Sequence, residues 1–506
     1  MDRLINNIGV IGAGIMGIGI VQIAIQSNHQ VYLYDAQQDA AKKAYDKLNT
    51  TLSRLVEKNK ISQTDLEQSL ANLHIVENIQ ELHICDLVIE AIIEKLDIKQ
   101  SLMKQLEAIV RPECILASNT SSLSITEIAA QCQQPDRVVG YHFFNPVPLM
   151  KVVEVIQGLH TNTKIIDQLS ELARKMGHRP VRTKDTPGFI INHAGRAYGT
   201  EALKILSENV ASVTEIDLIL KKSLGFKMGP FELLDLTGLD VSHPVMLSIY
   251  NQYYQEPRYR PNVLTQQMLI GKKLGRKTGE GFYKYIDQAK QEIAIIPKYS
   301  AHRHDLKTVW LSTEFDDDHK KLSTYLTQKG IQINLNAQPN NEDLILIANY
   351  GDDATHSAQR LGVNPEQVVC IDMLGNFEQC RTLMPSLLTQ PKMIEAALDL
   401  FNQPNSETIV IEESLGFVSQ RVLAMVVNLA CDMAQQKIAT VEDINAAVKL
   451  GLGYPFGPIE WGDVIGKEKI LRVLERISSI SHDPRYRPSP WLQRRCKLNL
   501  SLNYQR

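Results

Sequence analysis

The chain has 506 residues, of which 44% are hydrophobic and 22% are charged, as in an ordinary globular protein. At about 150 residues per domain, this length predicts three or four domains. Lys and Arg number 54 and Asp and Glu 57, so the formal net charge is −3. A binder of nucleic acid or of anionic membranes would show a basic excess, so both classes are disfavoured.

The seven cysteines are odd in number, scattered and without a Cys-x-x-Cys pair. This usage argues against a disulfide framework and against a structural zinc site. It predicts a reducing compartment, hence a cytoplasmic location, and we expect no metal site.

Residues Ile8–Ile25 form an almost unbroken apolar run, which hydropathy alone would fit to a signal peptide or a membrane span. Five glycines within this run make a poor lone helix. We therefore predict a strand at Ile8–Ile11, a glycine turn, and a helix that opens near Ile15. Since no other segment approaches spanning length, we expect a soluble protein.

The glycine turn, GAGIMG at residues 12–17, fits the pattern G-x-G-x-x-G after a buried strand. Bare backbone at this place lets a dinucleotide pyrophosphate approach the helix N-terminus. A second strand at Gln30–Tyr34 ends in Asp35, where a carboxylate can bind an adenosine ribose and repel a 2′-phosphate. The pattern favours NAD over NADP, and a structural βαβ unit without cofactor is the alternative.

Polar residues follow the next predicted strands, Leu87–Ile89 and Ile115–Ala117. The second strand leads into SNTSS at residues 118–122. Polar residues after the carboxyl ends of parallel strands face the ligand crevice. The alternative for Ser121 is a cap of the helix predicted at Ile125–Ala130.

One histidine stands in a setting suited to catalysis. His142 lies among aromatic residues in GYHFFNPVPLMKVVEVI, residues 140–156, and Glu154 follows in an alternating apolar run. An imidazole supported by a carboxylate is a common general base. A buried core histidine is the alternative.

Five long segments in one order make a family recognisable. They are SNTSSLSITEIAA, GYHFFNPVPLMKVVEV, DTPGFIIN, GPFELLDLTGLD and KTGEGFY, at residues 118–130, 140–155, 185–192, 229–240 and 277–283. Over about residues 6–285 the chain resembles the L-3-hydroxyacyl-CoA dehydrogenases. Its two-part C-terminus, ending in DPRYRPSPWLQRR at residues 483–495, resembles the longer bacterial form associated with phenylacetate breakdown.

The resemblance implies NAD-dependent oxidation of the 3-hydroxyl of an L-3-hydroxyacyl-CoA. Similarity to the longer form favours a 3-hydroxyadipyl-CoA-like substrate, with 3-hydroxybutyryl-CoA as the alternative. An alternative of a different class is a nucleotide-binding scaffold that kept the fold and lost turnover.

The resemblance also implies roles for single residues. His142 matches the general base, Glu154 the carboxylate that orients it, and Ser121 and Asn192 the groups that bind the reacting oxygen and place the thioester. His193 is a departure, since the family usually has Arg there. The positions that match cofactor contacts are Gly12, Gly14, Gly17, Asp35, Glu94, Lys99, Asn145 and Lys277.

An acyl-CoA substrate carries phosphates, so its binding face needs local cations despite the negative net charge. The candidates after Asp35 are Lys42, Lys43, Lys58 and Lys60, with a solvated helix face as the alternative. For the far end of a dicarboxylic acyl chain, Arg196 is the candidate cation.

The second half of the chain repeats part of the first. Gly188-Phe189 recurs as Gly416-Phe417 and Gly229-Pro230 as Gly457-Pro458, each 228 residues later. Between the copies, strands and helices alternate without a glycine fingerprint, and Asp372 stands where His142 would repeat. Gln420 likewise replaces Asn192, so we expect no catalysis in the second half.

The predicted fold class is α/β plus all-α. It comprises a Rossmann-type doubly wound NAD-binding domain at 1–186, a helical domain at 187–290, a degenerate α/β segment at 300–405, and a second helical copy at 406–506. The resemblance implies that the helical domain forms the dimer contact in short relatives, so we hypothesise that the second copy takes that place within one chain. Whole chains could also associate into a homo-oligomer, and the sequence does not decide this.

Overall fold

The computed structural model describes residues 4–291, 299 and 306–505. The chain forms two compact units. The first comprises Met1–His193 with Gln436–Leu452, and the second Ala194–Gln435 with Gly453–Arg506. Part of the predicted second helical copy thus belongs to the first unit. Residues 300–305 of the predicted α/β segment lie outside the described residues.

The first unit contains a sheet with strand order β3-β2-β1-β4-β5-β6-β7-β8. Its neighbours are parallel except β6 and β7, which are antiparallel. This order confirms the Rossmann-type doubly wound sheet. The strands are β1 Asn7–Ile11, β2 Gln30–Tyr34, β3 Leu73–Ile75, β4 Leu87–Glu90, β5 Ile115–Ser118, β6 Val138–Phe143, β7 Val152–Gln157 and β8 Arg179–Lys184.

Helices cover both faces of this sheet, which explains the continuous apolar character of its central strands. Ile8 and Val10 on β1 and Ile89 on β4 are fully buried. The helices up to the end of the first segment are α1 Ile15–Ile25, α2 Ala40–Glu57, α3 Gln63–Ala71, α4 Leu96–Ile109, α5 Ile125–Ala129, α6 Thr163–Lys175 and α7 Ile191–Ala194. The strand at Gln30–Tyr34 and the helix start at Ile15 are where the sequence predicts them.

The second unit begins with helices. They are α8 Arg196–Ser207, α9 Val213–Leu224, α10 Pro230–Thr237, α11 Leu239–Gln252 and α12 Val263–Ile270. A short antiparallel pair follows, β9 Tyr285–Ile286 and β10 Ala289–Lys290. The first helical domain is therefore confirmed as helical.

A second sheet has the order β12-β11-β13-β14-β15-β16, antiparallel only between β14 and β15. Its strands are β11 Thr308–Thr313, β12 Gln332–Asn334, β13 Leu344–Ala348, β14 Val368–Ile371, β15 Cys380–Pro385 and β16 Glu407–Val410. Its helices are α13 Asp316–Gln328, α14 Ala354–Leu361 and α15 Pro391–Phe401. Strands β7 and β8 begin at Val152 and Arg179, and β15 and β16 begin 228 residues later, at Cys380 and Glu407.

This sheet is a shortened version of the first, and it ends beyond the predicted boundary at residue 405. Three carboxylates, Asp316, Asp317 and Asp318, occupy the first turn of α13, after the strand that corresponds to β1. Negative charge at this place repels phosphates, whereas the corresponding turn of the first sheet is rich in glycine. The second sheet has thus lost the features that bind a dinucleotide.

The remaining helices form the second helical copy. They are α16 Val418–Gln435, α17 Val441–Leu452, α18 Pro458–Ile465, α19 Lys467–Ser481 and α20 Pro490–Lys497. Within the second unit, buried Arg485 of this copy donates to Glu201 on α8, and Arg258 of the first copy pairs with Asp432 on α16. The repeated Pro-Arg-Tyr segments of the two copies therefore make reciprocal ion pairs.

The two copies also exchange a helix. Within the first unit, α17 packs on β7 and β8, where Arg179 donates to Glu442 at 2.6 Å and the Lys184 N–H donates to the Ile438 carbonyl oxygen. Within the second unit, α9 packs on β15. Each helical copy thus contributes one helix to the α/β sheet of the other copy.

The sequence makes predictions about disulfide bonds and about membrane spans. All seven cysteines lie in the described residues and are free thiols. Among the helices of the described part of the chain, none combines the length and apolar character that a bilayer crossing requires.

Candidate active site

The glycine turn after β1 has the shape that its sequence predicts. Gly12 has φ +103°, and a Cβ there would lie 2.7 Å from the Ala91 carbonyl oxygen. A Cβ on Gly17 would lie 1.8 Å from the Gly12 carbonyl oxygen, so glycine is needed for α1 to pack on the turn. Around Gly14 no heavy atom lies within 4 Å of a Cβ. This open position leaves bare backbone for an anionic ligand at the start of α1.

Asp35 lies beside this turn. Its carboxylate accepts hydrogen bonds from the Ala13 N–H at 2.7 Å and the Gln37 N–H at 2.8 Å. These hydrogen bonds hold the carboxylate just beyond the end of β2, where it can bind a ribose hydroxyl. Together, the open glycine and this carboxylate fit a dinucleotide with an unphosphorylated ribose.

His142 and Glu154 face each other across the antiparallel pair of β6 and β7. The register explains their spacing of twelve residues, since the connecting loop returns the chain directly alongside. His142 is 5% exposed and Glu154 fully buried, and Glu154 Oε2 lies 2.6 Å from His142 Nδ1. Glu154 Oε1 accepts from the Ile190 and Ile191 N–H groups, each at 2.9 Å.

These hydrogen bonds fix the tautomer of His142. A carboxylate can only accept, so Nδ1 carries the hydrogen and Nε2 presents a lone pair. The rings of Phe144 and Phe189 pack against the imidazole, with centroids 4.3 and 6.1 Å away. The arrangement holds a base that can take a proton at Nε2 and a carboxylate that stabilises the resulting charge.

The serine turn after β5 is organised by Glu94. The Glu94 Oε1 atom accepts from Thr120 Oγ1 at 2.7 Å, from the Ser121 N–H at 2.8 Å and from the Ser122 N–H at 3.1 Å. Burial pushes the pKa of Glu94 up, but the charge of Lys99 and these hydrogen bonds outweigh it and lower the pKa. Glu94 therefore stays ionised and holds the turn in place.

Lys99 is 1% exposed and donates to both carboxylate oxygens of Glu90 at 2.8 Å. Its ammonium also lies 3.3 Å from Glu94. Glu90 ends β4, accepts a short hydrogen bond from Ser118, and has its pKa raised by burial. The buried charge of Lys99 needs carboxylate partners, so Lys99 supports the serine turn through Glu90 and Glu94. Its predicted contact with the cofactor stays a prediction.

Hydrogen bonds, together with the peptide link between Ile191 and Asn192, connect the four predicted catalytic residues. The Asn192 side-chain amide donates to the Ser121 carbonyl oxygen at 3.2 Å. Asn192 directly follows Ile191, whose N–H binds Glu154, and Glu154 binds His142. The structure thus brings the four residues together in the first unit, although they come from three of the five sequence segments that resemble the family.

The remaining predicted residues lie on or after α2, in the loop after β6, in α7 and in the second unit. Asn145 is exposed in the loop after β6, and His193 is buried, with its N–H donating to the Gly188 carbonyl oxygen. Lys277 belongs to the second unit, where it pairs with Asp240 at 2.6 Å, and Arg196 begins α8 in that unit. The four candidate CoA lysines are all exposed, namely Lys42, Lys43, Lys58 and Lys60.

Sequence reasoning missed the backbone donors to Glu154 and the helix that supports them. The donors come from Ile190 and Ile191, where the side chains carry no polar signal. Gly451 on α17 packs against Ile191, since a Cβ on Gly451 would lie 2.3 Å from Ile191 Cδ1. The only available signal was the internal repeat, which showed that this helix had a counterpart in α9.

Comparisons with known proteins identify the family of the chain. The family model of the 3-hydroxyacyl-CoA dehydrogenase NAD binding domain matches residues 7–186. The model of the C-terminal domain of that family matches twice, at residues 188–285 and 416–502, which confirms the duplication.

Relatives match over the whole chain or its first half. The 3-hydroxyadipyl-CoA dehydrogenase of Escherichia coli K12 is 36% identical over 98% of both chains. A probable 3-hydroxybutyryl-CoA dehydrogenase of Deinococcus radiodurans is 42% identical over 55% of this chain and 99% of its own. A crystal structure of 3-hydroxybutyryl-CoA dehydrogenase from E. coli K12 is 36% identical, with TM-score 0.86 and coverage of 98% of this chain and 99% of that one. The chain belongs to the 3-hydroxyacyl-CoA dehydrogenase family, whose members are NAD-dependent oxidoreductases.

Proposed function

We propose that the His142–Glu154 pair serves as the base in the NAD-dependent oxidation of the 3-hydroxyl of an L-3-hydroxyacyl-CoA to a ketone. The observation that carries this proposal is the connection of His142, Glu154, Asn192 and Ser121, through hydrogen bonds and the backbone at Ile191, in one unit with the glycine turn. NAD, when bound, supplies the hydride acceptor. Gly12, Gly14, Gly17 and Asp35 would hold it.

His142 removes the hydroxyl proton in this reaction. Its Nε2 lone pair takes the proton from the 3-hydroxyl oxygen as a hydride leaves the carbon that bears this oxygen, so the alcohol loses two electrons and two hydrogens. The imidazolium that forms is stabilised by Glu154 on the opposite nitrogen. Neutral donors from Ser121 and Asn192 stabilise the negative charge that develops on the oxygen.

Several further assignments follow from the same proposal. Asn145 and Lys277 are exposed and are proposed to contact the cofactor, together with Glu94 and Lys99. The exposed lysines on and after α2 are proposed to bind the CoA phosphates. Free cysteines throughout the chain favour a cytoplasmic enzyme, and an oligomer of whole chains is the open alternative to a monomer.

A 3-hydroxyadipyl-CoA-like substrate is supported by the full-length similarity to the enzyme of that name. The solved structure of comparable length carries the name of a 3-hydroxybutyryl-CoA dehydrogenase, so the shorter substrate is the second candidate. The adipyl chain is the longer of the two and ends in a free carboxylate, which the butyryl chain lacks. Arg196 is the proposed partner of that carboxylate.

The test is NADH formation with a panel of L-3-hydroxyacyl-CoAs that vary in chain length and terminal charge. The highest kcat/KM on 3-hydroxyadipyl-CoA is expected, and Arg196→Gln should lower kcat/KM for that substrate while leaving 3-hydroxybutyryl-CoA unchanged. Preference for 3-hydroxybutyryl-CoA would favour the second candidate. No turnover on any member, with NADH still bound, would favour a nucleotide-binding scaffold.

A further inference from the structure

His178 is a buried histidine that the proposed chemistry does not use. It lies between α6 and β8 and is 2% exposed. Its Nδ1 atom lies 3.0 Å from the Met176 carbonyl oxygen, and its Nε2 atom lies 2.9 Å from the Val147 carbonyl oxygen. Both ring nitrogens thus face groups that can only accept a hydrogen bond.

A carbonyl oxygen can only accept, so the ring binds the Val147 oxygen by donating a hydrogen from Nε2. Losing the donor to a buried carbonyl oxygen is costly, so this hydrogen bond fixes the position of Val147.

The Val147 oxygen belongs to the loop 144–151, which connects the strands of the catalytic pair. This loop begins with Phe144, whose ring packs on His142, and continues through Asn145. On its other side, Val147 packs against α1, since a Cβ on Gly19 would lie 2.8 Å from Val147 Cβ. The His178 ring also makes an edge contact with Phe143, with centroids 5.7 Å apart. His178 and α1 thus hold the loop from two sides.

We propose that His178 is a positioning residue that binds the Val147 carbonyl oxygen through Nε2 and thereby fixes the loop bearing Phe144 and Asn145. The inference rests on the proposed function, in which Asn145 contacts NAD and Phe144 packs on the base. His178 itself touches neither the substrate nor the reacting atoms. Its loss should therefore weaken cofactor binding more than it slows the chemical step.

The first test compares His178→Phe with His178→Gln. The Phe variant keeps a ring but loses the donor to Val147, and we expect the Kd for NADH and the KM for NAD to rise about tenfold, with kcat reduced less. In the Gln variant a side-chain amide can still donate to Val147, so we expect a Kd within about threefold of the wild type. His29→Gln, at the opposite, amino end of β2, is the control and should leave the Kd unchanged.

A folded His178→Phe variant with wild-type Kd would overturn the proposal. So would equal losses of thermal stability in both variants with no change in Kd, since that pattern marks a purely structural role. If His178→Phe does not fold, ¹⁵N NMR of the wild type, assigned with the Gln variant, decides. A hydrogen on Nε2 is expected, and a ring whose Nε2 carries no hydrogen would overturn the proposal. Absence of turnover with NADH affinity intact would refute the proposed function without touching this inference.

Discussion

Gly451 packs against Ile191, and the Ile191 N–H binds the carboxylate that orients His142. A helix of the second copy, which carries no catalytic residue, therefore supports the catalytic pair of the first. We predict that Gly451→Leu lowers kcat about tenfold, because the new side chain displaces Ile191 and loosens Glu154. Steady-state kinetics with a 3-hydroxyacyl-CoA would measure this change.

The matched control is Gly199→Leu, another helical glycine, where no heavy atom lies within 4 Å of a Cβ. This variant should keep wild-type kcat. An unchanged kcat in a well-folded Gly451→Leu variant would show that Glu154 does not depend on the packing of α17.

Glu154→Gln removes the charge beside His142 but keeps an oxygen that can accept from Ile190 and Ile191. We expect kcat to fall by about two to three orders of magnitude, because the imidazolium formed in the reaction loses its partner. The Kd for NADH, measured by fluorescence titration, should stay within about twofold. A comparable loss of NADH affinity would instead indicate a general disturbance of the sheet.

Glu232 in the second unit should contribute to stability against acid. Burial alone would raise its pKa, but hydrogen bonds from Lys221 at 2.8 Å and Lys290 at 2.5 Å lower it to about 2, from 4.5. Because the folded pKa is the lower one, this stabilisation is present above pH 4.5 and is lost as the pH falls toward 2. It amounts to no more than about 3 kcal/mol.

Urea unfolding between pH 3 and pH 7 would measure this contribution. Glu232→Gln should lower the unfolding midpoint at pH 7 and weaken its dependence on pH below 4.5. The exposed Glu57→Gln is the control and should change neither quantity. If the unfolding midpoint of Glu232→Gln fell below pH 4.5 as steeply as that of the wild type, the assignment of this pH dependence to Glu232 would be contradicted.

The duplication predicts the behaviour of a chain cut at about residue 290. Such a chain loses α17 from β7 and β8, and it loses Arg485, the partner of buried Glu201. An unpaired buried carboxylate is costly, so we expect the fragment to dimerise or aggregate. Light scattering and an activity assay would test this. A soluble monomer with full activity would refute the hypothesis that the second helical copy replaces the dimer partner within one chain.

Local patterns account for much of what the sequence predicts correctly. The glycine turn, the strand that ends before Asp35 and the pairing of His142 with Glu154 follow from spacing within a few elements. Long-range contacts could not be predicted in the same way. The N–H groups of Ile190 and Ile191 bind Glu154 through backbone atoms, which leave no trace in side-chain type.

The sequence also did not predict that each helical copy contributes a helix to the sheet of the other copy. The repeat predicts that α9 and α17 are equivalent, but not that each packs on the sheet of the other copy. Lys99 is a further case, because a lysine on an amphipathic helix usually reaches solvent. Here the buried carboxylate of Glu90 compensates its charge, and that pairing appears only once β4 and α4 are in place.

The substitution His142→Gln tests the central claim most directly. Gln keeps hydrogen-bonding capacity toward Glu154 but has no basic nitrogen, so the hydroxyl proton has no acceptor. We predict that kcat for the preferred 3-hydroxyacyl-CoA falls by several orders of magnitude, with the Kd for NADH within about threefold of the wild type. Turnover close to the wild-type rate would contradict the account, because His142 would then not be the base.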